Sequence, residues 1–347
     1  MNDGAISVTI GGDHNYFVGI YVTAHSICRS AKSGTELLFH VYDAGLDEED
    51  RRLLASLESA FPDRTVHVHI FKPDLSPFAS FPKFHGSYAT FARLLLEDQI
   101  PDEWTIYADV DVLWLRSINE LWDMRDPKYA ILAAPDGSGF PAFSEAAELA
   151  REHFPQAGGK APEKGAYYGA GVALLNLAKM RELGFAKKVL SMIPEVSSLF
   201  TYNDQDFYNF LLPSPDLAKL VDPRWNTFAC HWGTYGTGEQ VIHYAGWVPW
   251  KKGTKMRRVV MMWWDYLAGI GWDAFGPRGG ELRRAYEKAK SEYASLRSPL
   301  ALALLRVLRP KLWRKRMLRL VPTPYDPARG DWLTPDPSAL DAGRDGE

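Results

Sequence analysis

The sequence predicts a single α/β domain with a mostly parallel, doubly wound central sheet and helices on both faces, followed by a basic helical tail. Three observations support this fold class. First, 46% of the 347 residues are apolar, which is enough to bury one large core. Second, β-rich segments alternate with segments of helical spacing, the order that produces parallel sheets. Third, eight basic and no acidic residues lie between Leu296 and Tyr325, so the net charge of −3 divides into +8 there and −11 elsewhere.

The amino-terminal part of the chain predicts three strands, two helices and a ligand-facing turn. The first strand, Ile6–Ile10, runs into the turn Gly-Gly-Asp-His-Asn-Tyr, and an apolar-periodic helix follows over Tyr16–Ser30. A second helix opens at the acidic run Asp47–Asp50, whose charges suit the positive end of a helix dipole. The other two strands are expected at Leu37–Tyr42 and Val66–Phe71.

A buried strand at Trp104–Ala108 is the stretch around which the fold is organised. Its residues are aromatic, β-branched or small, and a polar break precedes it, as expected of a strand covered on both faces. Before it, the proline-rich segment Pro73–Phe84 is expected to be a loop. Ser87–Glu97 has helical spacing and carries Arg93. After the strand, Asn119–Trp122 is expected to form a short turn.

Strands and helices continue to alternate in the second half of the chain. Residues 135–164 are rich in Gly, Ala, Pro and charge, and are expected to form an insertion with at most one short helix. The expected strands are Tyr129–Ala134, Ala170–Leu177 and Gln240–His243, and the expected helices are Ala178–Met192 and one that begins near Asp204.

Composition excludes several classes of protein. The start of the sequence, Met-Asn-Asp-Gly-Ala-Ile-Ser, carries an acid and no apolar core, so we expect no secretory signal. No apolar run reaches the length of a bilayer span. The two cysteines, Cys28 and Cys230, lack metal-ligand spacing, which fits a reduced cytosol and argues against a zinc site or a disulfide scaffold.

Two carboxylates, Asp109 and Asp111, follow the Trp104–Ala108 strand at the point where α/β folds place their ligands. Such a pair can reach one divalent cation, and oxygen-only ligands suit Mg²⁺ or Mn²⁺ bridging a diphosphate. The alternative is a pair of turn or helix-capping aspartates. A second triplet, Asp204-Gln205-Asp206, has the same spacing. The assignment therefore depends on the sequence context and not on the triplet alone.

That context is a set of short motifs in a fixed order over roughly residues 5 to 250. The motifs are Phe39-His-Val-Tyr-Asp-Ala-Gly45, Thr90-Phe-Ala-Arg-Leu94, Tyr107-Ala-Asp-Val-Asp-Val112, Leu121-Trp-Asp123, Gly169-Ala-Gly-Val172 with Leu175-Asn-Leu177, Tyr202-Asn-Asp-Gln-Asp206, and His243-Tyr-Ala-Gly246. Taken together, these motifs resemble glycosyltransferase family 8, the glycogenin-like retaining transferases, and especially its bacterial lipooligosaccharide galactosyltransferases.

The resemblance implies a Rossmann-like nucleotide-diphospho-sugar transferase domain over residues 1–255. Residues 135–164 are then a lid or an acceptor-side insertion in this domain. Residues 256–347 are expected to be a helical extension, with a basic amphipathic tail at 297–320.

The resemblance also implies a metal site and a nucleotide site. Asp109, Asp111 and His243 match the metal ligands, and an imidazole beside carboxylates is accepted by Mn²⁺ more readily than by Mg²⁺. Asp13 and Asn15 match positions that read the uracil edge, whose N–H and C=O groups suit a carboxylate and an amide.

Further residues match positions around the donor sugar and its diphosphate. Arg93 matches a basic residue that faces the donor, where its fork suits a phosphate or a sugar hydroxyl. Val110 and Gly246 match other donor-binding positions. Asp204 matches an acid that holds donor-sugar hydroxyls. Gln205 matches the group nearest the face of the anomeric carbon opposite the leaving diphosphate.

The sequence departs from the family pattern at two places. Gly169 stands where the family usually has Asn, so a side-chain amide that would contact the sugars is missing. After the predicted metal histidine, the chain reads Gly246-Trp-Val-Pro-Trp250, one residue shorter than the family pattern and without its diphosphate lysine. We expect Lys251 or Lys252 to take the place of that lysine.

Retention of configuration ordinarily requires a carboxylate nucleophile. The residue at the matching place is Gln205, an amide and a poor nucleophile. We therefore expect front-face displacement, in which the leaving phosphate oxygen deprotonates the acceptor and Gln205 stabilises positive charge. Double displacement through Asp204 or Asp206 is the alternative.

The basic tail predicts contact with a membrane. Apolar helical material at Ala301–Arg309 is broken by Pro310, and Leu, Trp and Met are then interleaved with cations over Leu312–Leu320. Such a segment suits the interface of an anionic leaflet. The alternative is a helix docked on the acidic body. Nucleic-acid binding is not expected, because the acidic body would repel a polyanion.

The sequence therefore predicts a metal-dependent retaining glycosyltransferase at the cytosolic face of a membrane. The expected donor is UDP-galactose or UDP-glucose, and the expected acceptor is lipopolysaccharide core or another surface glycolipid. A nucleotidyltransferase is disfavoured because the chain lacks a glycine-rich basic loop for a triphosphate. The remaining alternative is a catalytically weak or silent protein that binds sugar nucleotides or glycans.

Overall fold

The computed structural model describes residues 4–79, 88–136, 140–160, 166–196, 200, 203–234, 239–320, 325–326 and 331–332. The chain divides into two compact units, residues 1–226 and residues 227–347. The predicted transferase domain, 1–255, therefore extends into the second unit.

The first unit is built on eight described strands, six of which closely follow the sequence prediction, whereas the short strands at Val112–Trp114 and Ala218–Leu220 were not predicted. The eight strands are β1 (Ile6–Gly12), β2 (Glu36–Asp43), β3 (Thr65–Phe71), β4 (Trp104–Ala108), β5 (Val112–Trp114), β6 (Ile131–Pro135), β7 (Tyr168–Asn176) and β8 (Ala218–Leu220). Among the described residues, seven of them form one sheet in the order β3-β2-β1-β4-β7-β6-β8. Neighbouring strands are parallel, except that β7 runs antiparallel to both β4 and β6. The predicted mostly parallel sheet is thus confirmed.

Burial shows that both faces of this sheet are covered. Every residue of β1 and of β7 is buried, and side chains alternate between the two faces of a strand, so helices or loops must cover each face. The helices of this unit are α1 (Phe17–Ser30), α2 (Glu48–Ala55), α3 (Leu57–Ala60), α4 (Leu96–Gln99), α5 (Ile118–Trp122), α6 (Phe140–His153), α7 (Leu177–Leu183), α8 (Phe185–Val196) and α9 (Asn203–Leu211).

Short 3₁₀ segments complete the first unit, at His14–Tyr16, Ser76–Phe78, Ala89–Leu95, Pro155–Ala157 and Pro223–Trp225. The acidic start of α2 is a capping box. Asp47 accepts a hydrogen bond from the Asp50 backbone N–H, and the Asp50 carboxylate accepts one from the Asp47 N–H. The backbone N–H groups of the N-cap residue and of the third helical residue are thereby both satisfied. The sequence predicted a helix start here from its acids, but not this pair of hydrogen bonds.

Four predicted elements differ from the structure. The short turn expected at Asn119–Trp122 is helix α5. The single helix expected at Ala178–Met192 is wrong, because Gly184 adopts φ +63° and separates α7 from α8. The expectation of at most one short helix in 135–164 is wrong as well, because α6 alone has 14 residues. The α-helix expected at Ser87–Glu97 is largely a 3₁₀ segment. Residues 80–87, 137–139 and 161–165 lie outside the described residues.

The second unit is mainly helical in the part that the structure describes. Two short parallel strands, β9 (Thr227–Phe228) and β10 (Val241–His243), come first, with a 3₁₀ segment at Ala229–His231 between them. Four helices follow, α10 (Arg258–Ile270), α11 (Gly279–Leu296), α12 (Pro299–Leu308) and α13 (Pro310–Leu320), with a 3₁₀ segment at Trp272–Arg278. The short antiparallel strands β11 (Tyr325–Asp326) and β12 (Asp331–Trp332) are the last described elements. Among the helices described, none combines the length and the apolar character needed to cross a bilayer.

Candidate active site

The candidate site lies at one edge of the seven-stranded sheet. Because β7 is antiparallel, its amino end meets the carboxyl ends of β4 and β6, with Ala108 opposite Val172 and Pro135 opposite Tyr168. Backbone hydrogen bonds continue this pairing beyond the strands: the Asp109 N–H donates to Gly171 O at 2.7 Å. This edge is where α/β sheets bind ligands.

The Asp-Val-Asp segment is held in place by helix α1. The Thr23 hydroxyl lies 2.7 Å from Val112 O and 3.1 Å from Val110 O, so one helical side chain fixes both ends of the turn. Asp109 and Asp111 are half-buried, and each offers a carboxylate oxygen within 4.8 Å of the other. Two hard oxygen donors at this separation fit a divalent cation such as Mg²⁺ or Mn²⁺.

Arg93 joins one of these carboxylates to the second Asp-x-Asp triplet. Its guanidinium is buried, Nη2 contacts Asp109 Oδ1, and Nε lies 2.9 Å from Asp204 Oδ2. A third contact runs from Nη1 to Ala170 O at 3.3 Å. Burial alone would lower the pKa of Arg93, but the adjacent Asp109 and Asp204 carboxylates outweigh it and raise the pKa well above its usual value. Arg93 is therefore a permanent cation between the two acids.

The two acids of the second triplet have different environments. Burial raises the pKa of Asp204 to about 6, with Arg93 lowering and Asp109 raising it further. Asp206 is 1% exposed, and its Oδ1 accepts a hydrogen bond of 2.6 Å from the Tyr167 hydroxyl. Asp204 thus pairs with Arg93, whereas Asp206 is anchored by Tyr167, the residue immediately before β7.

Gln205 is held at both ends of its amide. Oε1 accepts from the Ala170 N–H at 3.0 Å, and Nε2 donates to Asp136 Oδ2 at 3.1 Å and to the Tyr167 hydroxyl at 3.0 Å. These contacts fix which end of the amide is the oxygen. Asp136 directly follows β6 in the same way that Asp109 directly follows β4.

Tyr107 supports the first carboxylate from within the sheet. Its hydroxyl donates to Asp109 Oδ1 at 3.0 Å and lies 3.3 Å from the Tyr42 hydroxyl. Tyr42 in turn packs over Gly11, where a Cβ would stand 2.2 Å from Tyr42 O. A side chain at position 11 is therefore incompatible with the position of Tyr42.

The predicted uracil-reading residues lie in the turn after β1. The Asp13 carboxylate accepts a hydrogen bond of 2.9 Å from the Asn15 N–H and caps the short 3₁₀ segment, and the Asn15 side chain is exposed. His14 lies between them and contacts Asp50 at 2.9 Å. The role of Asp13 and Asn15 in reading a base stays a prediction.

Three predicted site residues belong to the second unit. His243 ends β10, is buried, and packs against the Phe228 ring at 5.4 Å between centroids. Gly246 adopts φ +70° in an exposed turn. Lys251 is exposed, and its backbone N–H donates to Val248 O at 3.1 Å. The metal role of His243 and the diphosphate role of Lys251 stay predictions.

Several residues in contact with the site were not identified from the sequence. They are Tyr107, Asp136, Tyr167 and Asn226. For Asp136 a signal was available, since it is an acid two residues after the predicted strand Tyr129–Ala134. For Tyr167 and Asn226 the sequence offers no such signal, because their contacts depend on tertiary packing.

Comparison with known proteins gives the same family as the motifs. Residues 7–254 match the family model described as glycosyl transferase family 8. A Haemophilus influenzae protein described as a glycosyltransferase is 27% identical over 224 residues, which is 64% of this chain and 63% of that protein. A galacturonosyltransferase-like protein of Arabidopsis thaliana is 25% identical, and the match covers 62% of this chain and 56% of that protein. The chain thus spans less than two thirds of the length of these relatives.

Solved structures share the fold. The galactosyltransferase LgtC, in complex with donor and acceptor sugar analogues, superposes with a TM-score of 0.60 at 25% identity, covering 77% of this chain and 96% of that one. The bifunctional glycosyltransferase WbbM superposes with a TM-score of 0.59 at 20% identity, over 82% of this chain and 52% of that one. With the family match covering most of the chain, the protein belongs to glycosyltransferase family 8.

Proposed function

We propose that this glycosyltransferase moves galactose or glucose from a UDP-hexose to a hydroxyl of a glycan acceptor, with retention of configuration and with the help of a divalent cation. The observation that carries the proposal is the bridge made by Arg93 between Asp109 and Asp204. It brings a carboxylate suited to a metal-bound diphosphate next to a carboxylate suited to sugar hydroxyls. The similarity to LgtC, a galactosyltransferase solved with sugar analogues, supports a hexose donor.

The proposed cation is Mn²⁺ or Mg²⁺, held by Asp109 and Asp111 with His243 as a third ligand. The fit rests on the chemistry of the two carboxylates, which offer oxygen atoms within 4.8 Å of each other. When bound, such a cation would neutralise the charge that develops on the leaving diphosphate. Asp13, Asn15, Val110 and Gly246 are proposed to bind the nucleotide.

The geometry of the chain's own residues favours front-face displacement. Asp206 is almost fully buried and engaged by Tyr167, and Asp204 is paired with Arg93, so neither is presented as an open nucleophile. The Gln205 carbonyl oxygen is held in one orientation by Ala170 and is suited to stabilise positive charge at the anomeric carbon. Trapping of a covalent glycosyl group on Asp204 or Asp206 would instead establish double displacement.

The test is turnover of UDP-hexoses without acceptor. We expect slow release of hexose from UDP-galactose or UDP-glucose that requires Mn²⁺ or Mg²⁺, and loss of at least about 100-fold in Asp109→Asn and Asp111→Asn, as for removal of metal ligands. Asp98→Asn is a matched control, because Asp98 is exposed on α4. Turnover that persists in a chelator, or that both variants retain, would refute the proposed metal site.

The same assay separates the enzyme from a silent binding protein. The second candidate is favoured by Gly169 and by the missing diphosphate lysine, and it predicts cation-dependent binding of UDP-hexose with no hexose released. If Lys251 or Lys252 replaces that lysine, alanine at the correct position should weaken UDP affinity. Unchanged affinity in both variants would exclude the replacement.

We further propose that the acceptor is a glycolipid, such as lipopolysaccharide core, and that the protein works as a peripheral protein on the cytosolic face of the membrane. Support comes from the end of α12 and the start of α13, where the exposed apolar side chains Val307, Leu308 and Leu312 stand beside the exposed cations Arg309 and Lys311. This combination suits an anionic lipid interface.

A further inference from the structure

Gly169 leaves room for a neighbouring side chain beside the buried strand β7. It is the second residue of β7, every residue of which is buried. A Cβ built on Gly169 would stand 2.7 Å from Asn226 Nδ2, which is closer than such atoms approach one another in proteins. The amide of Asn226 therefore occupies the place that a side chain at position 169 would take. A glycine inside a strand is typical of such a close approach.

The turn that precedes Asn226 holds its side chain in this place. The Asn226 N–H donates to Pro223 O at 3.1 Å and closes the 3₁₀ segment Pro223–Trp225. Trp225 is buried against Trp114, with ring centroids 6.2 Å apart, and the Arg116 guanidinium lies 4.1 Å from the Trp225 ring. A rigid aromatic anchor immediately before Asn226 fixes where its short side chain can reach.

The space at Gly169 also adjoins the proposed reacting centre. The same Cβ position is 3.8 Å from Gln205 Oε1 and 3.6 Å from Asp136 Cβ. Gln205 Nε2 donates to Asp136 Oδ2 at 3.1 Å. A carboxamide, a second carboxamide and a carboxylate thus surround one point at the ligand-binding edge of the sheet. The Asn226 amide brings a donor and an acceptor to this point, and the Gln205 and Asp136 oxygens bring further acceptors, a combination that matches the hydroxyl groups of a sugar.

We propose that the Asn226 carboxamide binds a hydroxyl of the hexose to be transferred, and that glycine at position 169 is required to admit it. This inference rests on the proposed function. It adds Asn226 to the residues that determine donor-sugar recognition. A carboxamide can donate to one hydroxyl and accept from another, so it favours a hexose with a particular hydroxyl orientation over its epimer.

The test compares binding of UDP with binding of UDP-hexose, both in the presence of Mn²⁺, by calorimetry. In Asn226→Ala, affinity for UDP-hexose should fall about 10-fold while affinity for UDP changes less than about 2-fold, as expected for the loss of one sugar hydrogen bond. The kcat/KM for hexose release should fall at least as much. Asn119→Ala is the matched control, because the Asn119 amide contacts Thr35 and Lys32 and not the site.

A second pair of variants tests the steric part of the proposal. Gly169→Ala should displace the Asn226 amide and lower UDP-hexose affinity in the same way. Adding Gly169→Ala to Asn226→Ala should cost much less than the sum of the two single changes, because the alanine at 226 leaves room for the new methyl group. If Asn226→Ala does not fold, Asn226→Asp keeps the side-chain shape and removes the donor, and the same selective loss of UDP-hexose affinity is expected.

The outcomes distinguish this inference from the proposed function. If the unmodified protein binds neither UDP nor UDP-hexose with Mn²⁺, the proposed function fails and the inference fails with it. If the unmodified protein binds both, but Asn226→Ala leaves UDP-hexose affinity unchanged, only the inference is overturned. An equal loss of UDP and UDP-hexose affinity would also overturn it, because a contact with the sugar cannot weaken binding of the free nucleotide.

Discussion

Arg93 is a buried cation that pairs with two carboxylates of the candidate site. A buried guanidinium carries a large desolvation cost, and its pairing with Asp109 and Asp204 offsets that cost. The pairing also orients both carboxylates before any ligand binds. The sequence predicts that Arg93 faces the donor, and the structure adds hydrogen bonds from its guanidinium to Thr90 and Ala170. Arg93 therefore positions the two acids, and its contact with the donor stays a prediction.

Tyr107 should affect the affinity for the cation indirectly, through its hydrogen bond to Asp109. Tyr107→Phe removes the hydroxyl that donates to Asp109 Oδ1 and should weaken Mn²⁺ affinity about 10-fold, the lower end of the range for partners of metal ligands. The measurement is the Mn²⁺ concentration that gives half-maximal UDP binding. Tyr42→Phe is the control, because it removes a hydroxyl whose hydrogen bond is made to the Tyr107 hydroxyl. A larger effect of the Tyr42 variant would contradict this assignment.

At the scale of single residues, the sequence identified groups that mark the end of a strand and missed groups that are brought in by packing. Asp109 and Asp111 follow a recognisable buried run, so their place at the sheet edge could be predicted. Asn226 lies 57 positions after Gly169 in the sequence, and no local pattern connects the two. The absence of a side chain at Gly169 was visible in the sequence, whereas the amide that fills the space was not.

At the scale of elements, Glu97 connects helix α4 to the start of α8. Its Oε1 accepts from the Ala186 N–H at 2.9 Å, and its side chain is 3% exposed. Burial raises the pKa of Glu97 from 4.5 to about 7, with the Ala186 hydrogen bond lowering it slightly. The folded state therefore binds a proton that the unfolded state releases between pH 4.5 and 7, and stability must fall as pH rises through this window.

Glu97→Gln should remove this pH dependence. Between pH 5 and pH 8, the free energy of unfolding of the unmodified protein should fall by about 1–2 kcal/mol more than that of the variant. This is less than the full pKa shift implies, because solvent partly screens the site. Urea unfolding at pH 5 and pH 8 measures the free energy of unfolding of both proteins. Any pH-independent effect of the glutamine on stability cancels when the two pH values are compared. Glu103→Gln, at an exposed position, is the control. Parallel curves for the protein and the Glu97 variant would show that Glu97 ionises normally.

Gly184 accounts for the largest helix error in the sequence prediction. The apolar spacing from Ala178 to Met192 continues through Gly184, so periodicity alone predicts one helix. The structure ends α7 with Gly184 in the left-handed conformation and begins α8 at Phe185. The helix at Phe140–His153 was predicted too short for a different reason. The Gly and Pro residues around it had more weight in the prediction than its good helix formers Ala, Glu, Leu and Arg.

Gly184→Ala measures how much the left-handed backbone conformation at position 184 alone contributes to the stability of the protein. A Cβ at position 184 meets nothing within 4 Å, so the expected loss of about 1 kcal/mol comes only from holding an L-residue at φ +63°. Gly184→Asn should cost less, because asparagine tolerates this conformation better. Thermal and urea unfolding measure both variants. A fully stable alanine variant would mean that α7 and α8 can rejoin into one helix.

At the scale of the whole molecule, charge and apolar exposure are distributed unevenly along the chain. The segment from Leu296 to Tyr325 carries +8, and the rest of the chain carries −11. Part of this segment is packed, since Met317 and Leu320 are buried and Arg316 Nε donates to Leu296 O at 2.7 Å. The stretch Arg306–Leu312 is exposed throughout. The tail thus combines a docked face with an exposed tip, and the sequence could predict its composition but not this division.

The exposed tip predicts how the protein should bind membranes. Flotation with anionic vesicles should recover the full-length protein, and recovery should fall at high salt, because each basic residue contributes up to about 1 kcal/mol near a charged surface. Replacing Arg309, Lys311 and Lys315 with Glu should abolish flotation. Replacing Val307, Leu308 and Leu312 with Ser should weaken it without removing its salt dependence, since the apolar insertion is lost and the charge attraction remains.

A charge-matched variant decides whether the tip or the total charge is responsible. Replacing the exposed residues Lys72, Lys128 and Lys187 with Glu changes the net charge by the same amount outside the tail. If the tip binds the lipid, this variant should float nearly as well as the unmodified protein, because screening limits the reach of surface charges to roughly 10 Å. All variants should retain turnover of UDP-hexose without acceptor, since none changes a proposed site residue. Equal loss of flotation in the tip and control variants would show that net charge governs binding, and it would remove the main support for a membrane-bound acceptor.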